Sequence, residues 1–150
     1  MRIQRTNSKN TDFQQLVKLL DIELAERDGE EHSFYAQYNG IDHLNHVIVG
    51  YKDETPICIG AIKSFEAEKM EVKRMYIVKD ERGKGLASIL LQELEQWAKE
   101  LGYDYCILET GKKQPEAIQL YLKNHYQIIP NYGQYAGIEN SVCFQKSINS

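Results

Sequence analysis

Long apolar runs are missing from this sequence, and no stretch approaches the roughly 18 apolar residues of a membrane-spanning helix, so no membrane span is expected. The opening residues Met1-Arg2-Ile3-Gln4-Arg5-Thr6 lack the apolar core of a signal peptide. Proline is scarce, at three residues, and no low-complexity run accompanies it, which argues against a disordered tail. Cysteine is equally scarce. Cys58, Cys106 and Cys143 are odd in number, far apart and each set in an apolar run, so they read as buried free thiols rather than disulfide partners or metal ligands. A reducing, cytoplasmic location fits that usage. The histidines His32, His43, His46 and His125 show no metal-ligand spacing beyond the weak three-residue step from His43 to His46, and no metal is expected. An excess of positive charge is also absent. The net charge of −4 argues against nucleic acid as the main partner, because phosphate backbones call for clustered Lys and Arg. It leaves room for a cationic substrate such as an amine without demanding one.

What remains is a chain of 150 residues, 42% hydrophobic and 27% charged, enough for one globular domain over 1–150 with a real core. No repeat or linker divides it. Met1 to Arg5 reads as a short strand. Thr11 or Asn10 can cap a helix from Asp12 to about Arg27 that puts Phe13, Leu16, Val17, Leu20 and Leu24 on one face, with Asp28-Gly29 ending it. A second short helix is expected over 32–39. The period then changes to that of strands. His46–Tyr51 and Ile57–Phe65 flank the hairpin turn Lys52-Asp53-Glu54-Thr55-Pro56, and Met70–Val78 is a third strand. Leu86–Leu101 is the clearest helix, with Leu86, Leu90, Leu94, Trp97 and Leu101 as its buried stripe and Gly102 as its stop. Tyr105–Thr110 is apolar on both faces, as a central strand should be. Pro115 suits the first turn of a helix running to Asn124. Tyr126–Ile129 and Val142–Gln145 read as two closing strands. The order implies a mixed α/β fold, with helices packed on the faces of a mixed sheet.

The most informative segment joins the strand Met75-Tyr76-Ile77-Val78 to the Leu86 helix through Lys79-Asp80-Glu81-Arg82-Gly83-Lys84-Gly85. Gly83 and Gly85 remove side chains where backbone N–H groups could approach a ligand. The first turn of the helix leaves orphan N–H donors and a partial positive charge, a combination that binds phosphate. Arg82 and Lys84 add charge at the same place. A P-loop needs Ser or Thr after Gly-Lys, but Gly85 follows Lys84. The dinucleotide fingerprint needs Gly or Ala three residues after Gly85, where Ser88 stands, and a hairpin precedes the strand instead of a βαβ start. A plain glycine turn that merely starts a helix is the structural alternative.

Arg82-x-x-Gly85-x-Ala87 resembles the acetyl-CoA signature of the GNAT acetyltransferases: Arg or Gln, two residues, Gly, one residue, then Gly or Ala. Glu71–Val78 resembles that family's fourth strand, Leu108-Glu109-Thr110-Gly111 the end of its fifth, and Ala117-Ile118-Gln119-Leu120-Tyr121 the helix carrying its common tyrosine. The resemblance covers about residues 46 to 146. One departure stands out: many members have Gly-Phe or Gly-Tyr after the last helix, whereas this chain has His125-Tyr126, so that helix must be capped without glycine.

The resemblance implies a GNAT fold, with a central, mostly antiparallel sheet of about six to seven strands and about four helices. It implies acetyl-CoA as co-substrate. The pyrophosphate would lie on the backbone amides of Arg82, Gly83, Lys84, Gly85, Leu86 and Ala87, with the Arg82 and Lys84 side chains secondary and open to simple solvation. The pantetheine arm would pair with the backbone of Met75 and Ile77, with Tyr76 between them, and Gln114 stands where many members carry an asparagine on that arm. Tyr121 matches the tyrosine facing the thioester sulfur, although Ala117, Leu120 and Tyr121 share a helix face and a core role is open. A phenol pKa of ~10 against a thiol pKa of ~8.5 makes full proton transfer from Tyr121 to the thiolate uphill by roughly 2 kcal/mol, so a hydrogen bond to the developing charge is as plausible as general acid catalysis.

An alkylamine of pKa ~10.4 must also lose a proton. Glu71 lies eleven residues before Arg82, the spacing of the catalytic glutamate in the family's histone-acetylating branch, which makes it the leading base. Glu71, Lys73 and Arg74 are odd company for a buried strand, and an ion pair at a strand start is the competing reading. Alternation places Glu71 and Lys73 on one face unless a bulge intervenes. Glu109 is the alternative base, and a bound water could serve either carboxylate.

The implied reaction is N-acetyl transfer by direct attack of a primary amine, of a small molecule, peptide or protein, in a ternary complex. Two other readings stay open: an acyl-CoA-binding module or sensor without chemistry, and a transferase of a different acyl group. The acceptor pocket would involve the N-terminal helices and the Asn131-Tyr132-Gly133-Gln134-Tyr135 loop, whose tyrosines could equally pack that loop. The resemblance also admits a homodimer.

Overall fold

The computed structural model describes residues 1–29 and 43–149. Seven strands and three α-helices appear among them: β1 (Arg2–Thr6), α1 (Thr11–Asp28), β2 (His46–Lys52), β3 (Thr55–Glu66), β4 (Lys69–Ile77), α2 (Leu86–Glu100), β5 (Tyr105–Gly111), α3 (Pro115–Lys123), β6 (Gln127–Ile129) and β7 (Ser141–Ser147). The strands form one sheet in the order β1-β2-β3-β4-β5-β7-β6. It is mostly antiparallel, with β4 and β5 parallel over Lys69↔Tyr105, Met70↔Cys106 and Glu71↔Ile107. This is the mixed, mostly antiparallel sheet expected. Among the described residues there is one helix fewer than the four expected, and the short helix expected over 32–39 lies outside them.

The chain groups into two compact units, Met1–Lys63 with Val72–Leu94 and Ser64–Glu71 with Glu95–Ser150. In the first, α1 starts where the Asn10 side chain accepts the Phe13 amide at 2.9 Å, so Asn10 is the cap. Gly29, at φ 57°, ends the helix. Phe13, Leu16, Val17 and Leu20 enter a core completed by Leu44, Val47, Val49, Tyr51, Ile59, Ala61 and Tyr76, with Leu24 at its margin. The Tyr51 hydroxyl donates to Asp12 Oδ2 at 2.6 Å, which satisfies the polar end of a buried ring. Pro56 proves to lie inside β3 rather than in the hairpin turn: a register shift at Gly50/Tyr51 sets Tyr51 opposite Pro56, and Asp53, at φ 55°, turns the chain. Gly60 lets β3 pass close under α2, since a Cβ there would stand 2.8 Å from Leu94 Cδ1.

The buried stripe of α2 differs from expectation. Leu90, Leu91, Leu94 and Ala98 are fully buried, whereas Trp97 is half-buried and Leu101, just past the helix end, is exposed. Residues 90, 94 and 98 share a face by i,i+4 spacing, and Leu101 lies beyond the last helical residue, Glu100.

In the second unit, β7 lies between β5 and β6, so Cys143 and Phe144 are paired on both sides. Cys106, Ile107, Leu108, Cys143 and Phe144 are buried. Buried Glu95 accepts from Tyr126 Oη at 2.9 Å and Lys146 Nζ at 2.8 Å, so its charge is partnered. Pro115 opens α3 as expected. Its exit is made without glycine. Asn124 Nδ2 donates to the Leu120 carbonyl at 2.9 Å, and His125 takes φ 73°. The three cysteines are buried free thiols, as their sequence settings implied. No group of residues among those described could hold a metal ion, and no described helix is long and apolar enough to cross a membrane.

Candidate active site

In the first unit, β4 leaves the sheet into the 3-10 turn Lys79–Glu81, then Arg82 to Gly85, then α2. Gly83 and Gly85 both have φ 79°, a conformation that disfavours side chains, and a Cβ on either would meet nothing within 4 Å. Their backbone therefore faces open space directly before the orphan N–H groups of a 15-residue helix. Leu86 and Ala87 form the first helical positions.

The two loop cations are not simply solvated. Arg82 Nη1 pairs with Glu23 Oε1 at 3.0 Å, its Nε donates to the Ile77 carbonyl at 2.8 Å, and its guanidinium lies 5.3 Å from the Tyr76 ring centroid. Lys84 Nζ sits 2.9 Å from Glu81 Oε2, and Lys52 Nζ lies 3.3 Å from the other oxygen. The Lys84 and Lys52 hydrogen bonds hold the Glu81 carboxyl below its ordinary range. Charge at the loop is thus fixed in place by one local partner, Glu81, and one distant partner, Glu23.

Met75 is half-buried, and Tyr76 and Ile77 are buried. The Ile77 carbonyl, expected to face a pantetheine arm, already accepts from Arg82. The parallel ladder with β5 covers Lys69–Glu71, while β4 itself runs on to Ile77. Arg74, inside that stretch, adopts φ 59°. This is a break in the extended backbone, and Arg74 is buried between half-buried Lys73 and Met75. Arg74 Nη2 pairs with Asp21 of α1, and its Nε finds no partner. Beside these residues, Leu19, Ile22, Glu23 and Glu26 of α1 face Tyr76 and Val78 across a cleft of about 310 Å³. Its mainly apolar walls carry charge of both signs, since Lys79 lines it with the two carboxylates and Glu23 is already paired with Arg82.

The second unit holds the acid–base candidates. Glu71 is buried at 6% exposure, and its Oε2 accepts the Tyr132 hydroxyl at 2.7 Å. Glu109 Oε2 accepts the Ser141 hydroxyl at 2.7 Å. Tyr121 is buried, its ring centroid 5.8 Å from that of Tyr126 and 5.6 Å from that of Phe144. Burial, with the Glu109 charge adding to it, pushes the Tyr121 phenol well above its ordinary value. Burial likewise raises the Cys143 thiol to about 11. Gln114 is the half-buried N-cap residue of α3, and its backbone carbonyl accepts the Ala117 and Ile118 amides at 3.1 and 3.2 Å. Sequence reasoning missed Glu23, Glu81 and Ser141 as partners, and it left Tyr132 between pocket lining and loop packing.

Residues 13–126 match the acetyltransferase (GNAT) family. Among curated proteins, the chain is 38% identical over 63 residues to the uncharacterized N-acetyltransferase YjgM of Escherichia coli (strain K12), covering 42% of this chain and 38% of that protein. It is 30% identical over 102 residues to an IAA acetyltransferase of Azospirillum brasilense, covering 67% of each. The match therefore spans well under half of the first relative's length. Among solved structures, it is similar to one from Klebsiella pneumoniae subsp. pneumoniae, provisionally described as an acyl-CoA N-acyltransferase, at TM-score 0.81 and 26% identity over 98% of this chain and 97% of that one. It shares the fold of the PaiA N-acetyltransferase of Thermoplasma acidophilum, solved in complex with coenzyme A, at TM-score 0.70 and 19% identity over 97% and 98% of the two chains. A family match across three quarters of the chain, on a strand–glycine turn–helix frame, places the chain in the acetyltransferase (GNAT) family.

Proposed function

We propose that the chain transfers an acetyl group from acetyl-CoA to a primary amine by direct attack while both substrates are bound. The observation that carries this reading is the Arg82–Gly85 loop, whose two positive-φ glycines open onto unobstructed space ahead of α2. The amides of Arg82 through Ala87 take the pyrophosphate, and the backbone of Met75 and Ile77, with Tyr76 and Gln114 nearby in role, guides the pantetheine arm. The amine nitrogen forms the new N–C bond, the C–S bond breaks, and CoA leaves as thiolate. Tyr121 donates a hydrogen bond to the developing sulfur charge, and Glu71 takes the amine proton directly or through water; Glu109, held by Ser141, is the alternative base. Holding both substrates together supplies much of the rate in such a reaction. Burial raises the Cys58, Cys106 and Cys143 thiols to about 11, 12 and 11, which supports direct attack over an acyl-cysteine route.

Gly85→Glu tests the cofactor half of this reading. It adds a side chain and a negative charge where the pyrophosphate would lie, at a φ that disfavours any side chain. Calorimetric titration with acetyl-CoA should show binding to the wild-type protein and at least a tenfold loss in the folded variant. Equal affinities would remove the loop from the site.

A further inference from the structure

We infer that Tyr132 is a positioning residue for the base Glu71, fixing its carboxylate through the Tyr132 hydroxyl. This rests on the reading of Glu71 as the base. The Tyr132 hydroxyl donates to Glu71 Oε2 at 2.7 Å, the short distance of a bond to a charged acceptor. Glu71 is 6% exposed, so its carboxyl relies on protein donors rather than bulk water for hydrogen bonds.

The donor itself is held from several sides. The Phe65 ring meets Tyr132 edge-on at 5.0 Å between centroids, and Tyr135 does so at 5.8 Å. The Tyr132 backbone hydrogen-bonds the Cys143 thiol. Directly after it, Gly133 has φ 52°, and a Cβ there would stand 3.4 Å from Phe65 Cε1. Glycine at 133 thus lets the loop turn while pressing against Phe65. Burial, and then the Glu71 charge, push the Tyr132 phenol far above its ordinary value, so it stays protonated as a donor. Tyr135 and Cys143 also feel the Glu71 charge, and both are raised chiefly by burial, so neither competes for the amine proton. A base held this way has one oxygen fixed by the Tyr132 hydroxyl. Loop 131–135 would then set the rate through Glu71, beyond any packing or pocket-lining role.

The test is a double-mutant cycle on CoA thiol release from acetyl-CoA, using the fastest acceptor among spermidine, lysine, kanamycin and a peptide with a free N-terminus. Tyr132→Phe keeps the ring and its contacts with Phe65 and Tyr135. It should lower kcat about tenfold or more, the scale of one charge-assisted hydrogen bond, with the acetyl-CoA KM within about twofold of wild type. In the Glu71→Gln background the same change should cost less than about twofold, because the carboxylate it positions is gone. A melting curve on each variant checks folding. Equal losses from Tyr132→Phe in both backgrounds, or wild-type kcat in the single variant, would overturn the inference while leaving Glu71 as base. Wild-type kcat in Glu71→Gln, or no thiol release with any of these amines, would instead overturn the reading of Glu71 on which it rests.

Discussion

At the scale of single residues, the chemistry turns on what burial does to proton affinity. With ordinary pKa values, proton transfer from a phenol to a CoA thiolate is uphill by roughly 2 kcal/mol. Burial and the Glu109 charge make Tyr121 a still weaker acid, so the transfer becomes steeper. In the proposed reaction its hydroxyl would serve as a hydrogen-bond donor that stays protonated, not as an acid that gives its proton away. Tyr121→Phe should lower turnover by ~10²-fold, the cost of losing one preorganised donor, with little change in acetyl-CoA affinity. Single-turnover kinetics check this, and a wild-type rate would return Tyr121 to packing with Tyr126 and Phe144. The glycine turn was legible because its motif is local, and the candidate roles of Tyr121 and Glu71 were read from motif and spacing of the same local kind. The Tyr132–Glu71 bond was not, because its partners are 61 residues apart and no spacing rule links them. The Arg82–Glu23 and Ser141–Glu109 pairs were hidden for the same reason.

Elements show where local chemistry suffices and where tertiary packing overrides it. The ends of α1 and α3 were readable from Asn10, Gly29 and Pro115, whose effects are confined to one turn. The absence of glycine after α3 was also readable, and His125 at φ 73° is its structural consequence. A left-handed backbone strains a residue with a Cβ, by about 1 kcal/mol relative to glycine. His125→Gly should therefore raise the unfolding free energy by about 1 kcal/mol, read from the denaturant midpoint at unchanged slope. A lower midpoint would mean that the imidazole contributes more than the strain costs. The bend in β4 had no such local sign. Arg74 takes φ 59° and pairs with Asp21 of α1, a partner from another element that no local pattern names. The exposure of Leu101 follows from the helix ending at Glu100, one residue before the stripe was expected to close.

For the whole molecule, the element series announced a mixed sheet, but strand order is a matter of long-range pairing. The insertion of β7 between β5 and β6 follows from no local pattern in Gln127–Ile129 or Ser141–Ser147. Family membership fixes the fold, while the acceptor depends on this chain's own surfaces. The central claim is amine-dependent acetyl transfer, and the most direct measurement is release of free CoA thiol from acetyl-CoA across a panel of primary amines: polyamines, amino acids, aminoglycosides, peptides and lysine-bearing proteins. The account predicts release that depends on both protein and amine, with the acetyl group recovered on the amine nitrogen by mass spectrometry. A protein that binds acetyl-CoA yet releases no thiol above the amine-free rate with any member of the panel would contradict it and leave an acyl-CoA-binding module in its place.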